Sequence, residues 1–340
     1  MTHSLNRRQA LQALLAMSVT GCASTTPLRK PAPASISITA LYAGQVNDRG
    51  FMQSGYEGLL QAKATLGVST RYIDGIEPKK DLLVAALRQL AQAGPRMVIA
   101  HGGQNNAAAE QVAPEFPGVH FVVTQGDVTG ANLSSYDVLQ EESAWLAGAL
   151  AGLSTRTGVV GHMSGIRVTP GLKGRAAFAD GLKTANPKAR LLSNFSGNQD
   201  DNALSRRIAL AQLDAGADII FTMLNAGRQG VTDACRSRKV RQIGNIIDWT
   251  KIDPEVFMAS AIADVSKGVL MAAQDEVGGH WKPGVIRKLG LADAAAVRLT
   301  MAADVPAAVR QRIDAYAQAI ISGQIIVPTV YSGPEFSLPG

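Results

Sequence analysis

The densest set of chemically useful side chains follows the first apolar run, in Gly44-Gln45-Val46-Asn47-Asp48-Arg49-Gly50-Phe51-Met52-Gln53-Ser54-Gly55-Tyr56-Glu57-Gly58. Gly44 and Gly50 permit close backbone approach. Asp48 can accept two donors from one ligand edge. Phe51 offers an aromatic face at a helix start, worth about 1–3 kcal/mol if a planar base stacks on it. The same residues also read as structure alone, with Asp48 as a helix N-cap and Phe51 as a hydrophobic staple. Residue type and spacing leave both roles open. Three later segments pose the same question. In His101-Gly102-Gly103-Gln104-Asn105, the Gly102 turn and the Gln104 amide either reach a solute or form a plain tight turn. Asn225-Ala226-Gly227-Arg228-Gln229-Gly230 opens a helix whose N-terminal amides suit a polar ligand group. Asp248-Trp249 sets a carboxylate beside an indole, whereas Trp145 and Trp281 read as packing residues.

Catalytic patterns are missing. His3, His101, His120, His162 and His280 are dispersed, and no His-Glu-x-x-His, Cys-x-x-Cys, Gly-x-Ser-x-Gly or Walker A sequence occurs. Nor is there the Asp-x-Asp cluster that a nucleoside hydrolase would need for calcium. Asp200-Asp201 and Lys79-Lys80-Asp81 read as helix starts and surface charge. The expectation is therefore a binder without catalysis, metal or cofactor.

Charge adds little. The net +6 invites a nucleic-acid partner, but the basic residues are scattered, balanced by 27 acids and not interleaved with aromatics, so none is expected. The N-terminus is more informative. Arg7 and Arg8 precede a short apolar segment, Ala10 to Val19, too short to span a bilayer but suited to a signal peptide. Val19-Thr20-Gly21-Cys22 then resembles a lipobox, with Cys22 the residue to be acylated after residues 1–21 are removed. An ordinary signal peptide with a chance cysteine is the alternative. Asn6-Arg7-Arg8-Gln9 leaves twin-arginine export open. Removal of that segment lowers the charge by two, from +6 to +4. With Cys22 lipidated, Cys235 has no partner, and it reads as a small buried apolar residue. An exported, lipid-anchored envelope protein is expected, and the absence of aspartate after Cys22 would favour the outer membrane in a two-membrane cell.

The elements that must position these residues come next. Residues 22–35 are rich in Ser, Thr, Pro and Ala and read as a tether. Beyond them, strand-like runs at Ile36–Tyr42, Ser69–Ile73, Met97–Ala100, His120–Thr124, Gly158–His162, Arg190–Asn194, Asp218–Phe221 and Val240–Ile243 alternate with helical patterns. The helical candidates are Gln53–Leu66, Asp81–Ala93, Glu141–Leu153, Gly174–Ala185, Asn202–Ala215 and Pro306–Ile321. Such alternation predicts right-handed βαβ units, and 340 residues suit two doubly wound parallel-sheet domains. Ligands in such sheets lie beyond the carboxyl ends of the strands. The loops to inspect follow Tyr42, Ala100, Thr124, His162, Asn194, Phe221 and Ile243.

The opening segment, Glu141-Glu142-Ser143-Ala144-Trp145-Leu146-Ala147-Gly148, Leu153 to Gly161, Phe178-Ala179-Asp180-Gly181, Gly216 to Phe221 and Ile243 to Trp249 together resemble the basic membrane protein family of substrate-binding lipoproteins. The family includes purine nucleoside receptors of ABC importers. The resemblance spans residues 36–330 and implies a type I periplasmic-binding fold, two α/β lobes joined by a three-stranded hinge. It places residues 36–138 with about 250–300 in one lobe, and 139–249 with about 301–340 in the other. It further implies that Asp48 and Phe51 bind a base and that Asp248 faces sugar hydroxyls, in a monomer serving an ABC permease. Met52 stands where the nucleoside receptors carry Asn, and Ser260-Ala261-Ile262-Ala263 lacks their lysine. Those departures leave the solute's identity open. A sensor of the same fold, signalling to a membrane partner, has the same sequence features.

Overall fold

The computed structural model describes residues 36–338 apart from Arg49. Cys22, the signal segment and the tether lie outside the described residues. The first sheet is built from β1 (Ser37–Tyr42), β2 (Ser69–Ile73), β3 (Met97–His101), β4 (His120–Thr124), β5 (Leu133–Val138) and β11 (Ile286–Leu289), in the order β11-β5-β4-β3-β1-β2. The second contains β6 (Val159–Ser164), β7 (Arg190–Phe195), β8 (Ile219–Met223), β9 (Arg241–Ile246), β10 (Phe257–Ala263) and β12 (Val297–Met301), in the order β12-β10-β9-β8-β6-β7. All neighbouring strands run parallel except β10 and β12. The fully buried, β-branched runs Met97–Ala100 and Phe121–Val123 are what a sheet covered on both faces requires.

The two sheets repeat one plan. In each, the chain starts in the middle, steps to one edge, then returns across the first strand and proceeds outward. The direction of winding therefore switches between β1 and β3 and again between β6 and β8, which is where ligands bind in such sheets. The described residues also form ten α-helices, α1 (Phe51–Leu66), α2 (Lys80–Gln92), α3 (Asn106–Val112), α4 (Gln140–Ser154), α5 (Thr169–Ala185), α6 (Asn202–Asp214), α7 (Arg228–Arg238), α8 (Trp249–Ile252), α9 (Ser266–Val277) and α10 (Ala307–Ile321), and two short 3-10 turns, Gly103–Asn105 and Ala113–Glu115. No helix among the described residues is long and apolar enough to cross a membrane.

Three segments join the sheets. The chain leaves β5 at Leu139, returns after β10 at Asp264, and crosses finally between Leu289 and Val297. They are stitched together: Leu139 N–H donates to the Leu289 carbonyl (2.7 Å) and Asp264 N–H to that of Ala296 (2.8 Å). This is the three-stranded hinge of the type I periplasmic-binding fold. The return to the first sheet is shorter than the expected 250–300. β10 and β12 belong to the second sheet, so the returning part is α9 with β11. The reason lies in composition: Phe257-Met258-Ala259-Ser260-Ala261-Ile262-Ala263 has a single β-branched residue and gives no strand signal, yet is buried throughout.

Two of the motifs carrying the family resemblance are packing devices. α4 and α5 cross so closely that a Cβ on Gly148 would sit 2.0 Å from the Phe178 carbonyl oxygen, and one on Gly181 equally close to that of Trp145. The fully buried Trp145 donates its indole N–H to Asp180 (2.7 Å).

Candidate functional site

The carboxyl ends of the two sheets face each other across a cavity of ≈ 370 Å³, within the range of small-molecule sites. From the first sheet it is lined by Ala43, Gly44 and Gln45 after β1, Gly75 to Pro78 after β2, Gln104 after β3, and Phe51 and Met52 at the start of α1. The second sheet contributes Ser164 at the end of β6 with Ile166 and Val168 after it, Gly197 to Asp200 after β7, Met223 at the end of β8 with Asn225 after it, and Asn245 of β9. Gln140 reaches it from the first turn of α4, and Pro170 and Gly171 from that of α5.

Phe51 is the aromatic residue of this lining. Its ring stacks on the imidazole of His101, centroids 4.3 Å apart at 28°. His101 is fully buried, and burial pushes its pKa down to about 4, so the ring is neutral at pH 7. Its Nε2 lies 3.0 Å from the Phe51 carbonyl, which can only accept, so Nε2 carries the proton and Nδ1 accepts from the Thr124 hydroxyl (2.7 Å). Gly55 makes room for this stack, since a Cβ there would meet the imidazole at 2.4 Å. The orientation of Phe51 is thus held from behind by a buried ring anchored at both nitrogens.

Asp48 sits beside the cavity but does not line it. Its carboxylate accepts from the backbone N–H groups of Gly50 (2.8 Å), Met52 (3.0 Å) and Gln53 (3.0 Å), which shapes the entry into α1. Burial raises its pKa above the ordinary carboxylate value, against the lowering effect of those three donors. Asp248 likewise lies off the cavity and caps α8, accepting from Thr250 N–H (3.2 Å), the Thr250 hydroxyl (2.6 Å) and the Thr300 hydroxyl (2.9 Å). Burial opposes its ionisation, yet the hydroxyl donors hold its pKa below the usual value. Trp249 is buried, donates its indole N–H to the Asn245 carbonyl (3.0 Å), and carries the Arg228 guanidinium 3.4 Å over its ring.

The structure therefore brings Phe51, Met52, Gln104 and Asn225 together and leaves Asp48, Gly102, Gly227, Asp248 and Trp249 behind or outside the lining. Gly102 supplies a turn at φ +103°. The amides at the start of α7, a candidate anion seat in the sequence, are taken by a neighbouring loop. Asn225 and Gly227 N–H donate to the Gln199 carbonyl (3.1 and 3.0 Å), and Ala226 N–H to Asp200 (3.1 Å).

Sequence reasoning missed Gln45, the Gly75–Pro78 loop, Gln140, Asn198, Gln199 and Asn245. Most follow strands and so were findable as loops, but nothing in their types distinguished them. Two features mark them in three dimensions. Among the described residues, the buried side-chain atoms Gln140 Nε2, Gln199 Oε1 and Asn245 Oδ1 find no hydrogen-bond partner, which is costly unless something else satisfies them. Ile246 holds φ +69°, a strained conformation for a β-branched residue, right beside Asn245. Among the described residues the lining includes Glu77 and Asp200 but no lysine, arginine or histidine.

Comparison with known proteins agrees with this architecture. The solute-binding protein of an ABC transporter from Aeropyrum pernix superposes with a TM-score of 0.76 at 19% identity, over 86% of this chain and 94% of that one. The transcriptional activator protein Med of Bacillus subtilis is 21% identical over 234 residues, covering 69% of this chain and 73% of the relative. A purine-binding protein of Brucella abortus is 21% identical over 249 residues, 73% of this chain and 70% of that protein. The family model for Bmp, the PnrA-like ABC transporter substrate-binding proteins, matches residues 35–330. The chain, with two switch-point crevices facing each other across a three-stranded hinge, belongs to the Bmp family of substrate-binding proteins.

Proposed function

We propose that this protein captures an uncharged nucleoside or nucleobase-like solute in the interlobe cleft and delivers it to an ABC permease, tethered to the envelope by lipid on Cys22. The observation that carries this reading is the lining itself: one braced aromatic ring, Phe51, amid the amides of Gln104, Gln140, Asn198, Gln199, Asn225 and Asn245, with no cation among the described residues. A carboxamide presents a donor and an acceptor side by side, which matches the edge of a base or a pair of hydroxyls. Among the described residues a phosphate or carboxylate would find no counter-charge there and would face Glu77 and Asp200. Met52, buried in the lining where the nucleoside receptors carry a polar residue, adds apolar surface beside the ring.

Thermal-shift and calorimetric titration with nucleosides, free bases, nucleotides, sugars and amino acids test the reading. A bound nucleoside at 100 times its Kd stabilises by about 2.7 kcal/mol, a shift of a few degrees for lobes of this size. Phe51→Ala should weaken that binding by about 1–3 kcal/mol. Binding of amino acids or phosphorylated sugars with silence from nucleosides and bases would sink the proposal. The name of the Bacillus subtilis relative, a transcriptional activator, favours a second reading in which the same cleft serves signalling. Uptake of labelled solute by cells lacking the gene separates the two, since only the transport reading predicts its loss.

A further inference from the structure

The first turn of α4 is a junction. Gln140 faces the cleft, Glu141 turns to Lys173 of α5, and Glu142 accepts from the Leu291 N–H of the last crossing segment (2.6 Å). The Lys173 ammonium lies 2.7 Å from Glu141 Oε1 and 2.6 Å from Asp137 Oδ2. All three side chains are largely buried, 17%, 9% and 8% exposed respectively. Asp137 belongs to β5 of the first sheet, Lys173 and Glu141 to helices of the second lobe. The pair thus spans the lobes one step from the hinge. Further along, the same edge of α5 meets the first lobe again. Thr169 hydroxyl donates to Asp127 (3.4 Å), and a Cβ on Gly103 would touch Pro170 at 3.2 Å. Pro170 also lines the cavity, so seating α5 on the first lobe shapes the cleft wall.

We propose that Lys173 is an interlobe latch, a positioning residue that holds α5 against the first lobe and so keeps the cleft in this arrangement without touching the solute. A buried ion pair adds little net stability over an apolar replacement and serves best to select one arrangement of packed elements over another. Here its two acids belong to different lobes, so only the arm to Asp137 must break when the lobes part. The proposal rests on capture between two lobes but on no particular solute.

Amide hydrogen exchange of the ligand-free protein tests it, so failure of every nucleoside to bind would leave the test intact. In Lys173→Met, exchange should quicken about tenfold, the scale of a coupling between sites, at 103–106 and 165–172, with β3 and β8 unchanged. Lys173→Arg should restore protection. Asp137→Ala removes only the interlobe arm and leaves Lys173 on Glu141, so it keeps the test open if Lys173→Met fails to fold; it should quicken the same two segments. Uniform acceleration across both sheets would reduce Lys173 to a structural role, and unchanged exchange at both segments would remove the latch altogether.

Discussion

Acid should weaken this fold through two histidines that it buries without their protons. His101 and His162 are both fully buried. Burial pushes His101 to about 4. It pushes His162 to about 3, with the Arg175 charge adding to the effect. Both values lie below the unfolded one near 6.5, so below pH 6.5 the unfolded chain takes up protons that the folded chain refuses. Stability is then complete above pH 6.5 and is lost as the pH falls toward 4. Per histidine, the loss is on the order of 2 kcal/mol at pH 5. Asp137, raised by burial to about 6, Asp48 and Glu142 act with the opposite sign, since each binds its proton more readily when folded. A difference measurement cancels them. Urea unfolding of wild type and of His101→Gln/His162→Gln at pH 7, 6 and 5 should show the wild-type advantage shrinking by roughly 4 kcal/mol over that range. A difference flat in pH, or an imidazole resonance of His101 titrating near 6.5, would refute the argument that His101 braces Phe51 as a neutral ring.

Further predictions concern packing and reactivity. Gly148→Ala should cost several kcal/mol, above the roughly 1–3 kcal/mol of ordinary overpacking, because its Cβ would overlap backbone; urea unfolding measures it. Cys235, fully buried with its thiol pushed up to about 12, should resist alkylation in native protein and react only on unfolding, as peptide mass mapping of that site would show. Glu335→Gln should destabilise by about 1–3 kcal/mol, since Glu335 joins Arg167 to Arg175, whose side chain is only 7% exposed; a melting temperature equal to wild type would argue against that role.

Much of the architecture was legible in the residues. Strong β-branched runs and amphipathic helices marked eight strands and the main helices to within a few positions, because burial on both faces of a parallel sheet demands long apolar stretches. The four strands that escaped explain themselves. β5 carries Ser134, Ser135 and Asp137 in a buried setting, β10 is rich in alanine, and β11 and β12 are edge strands bearing Arg287, Lys288 and Arg298. Edge strands tolerate charge, so their hydrophobic signal is weak.

The sequence by itself determined that the chain is two βαβ arrays and that any ligand sits beyond their carboxyl ends, since periodicity and connection handedness are local rules. It also singled out Phe51, whose placement at a helix start is encoded by neighbours within five residues. Which side chains line the cavity was decided only by tertiary structure. Gln140, Gln199 and Asn245 are far apart in sequence and ordinary in type; they line one cavity because the hinge sets two sheet ends face to face, and among the described residues their buried polar atoms find no partner. Asp48 turns to backbone donors within five residues of it, a local matter, whereas Asp248 combines the neighbouring Thr250 with the distant Thr300 hydroxyl that only folding brings to it.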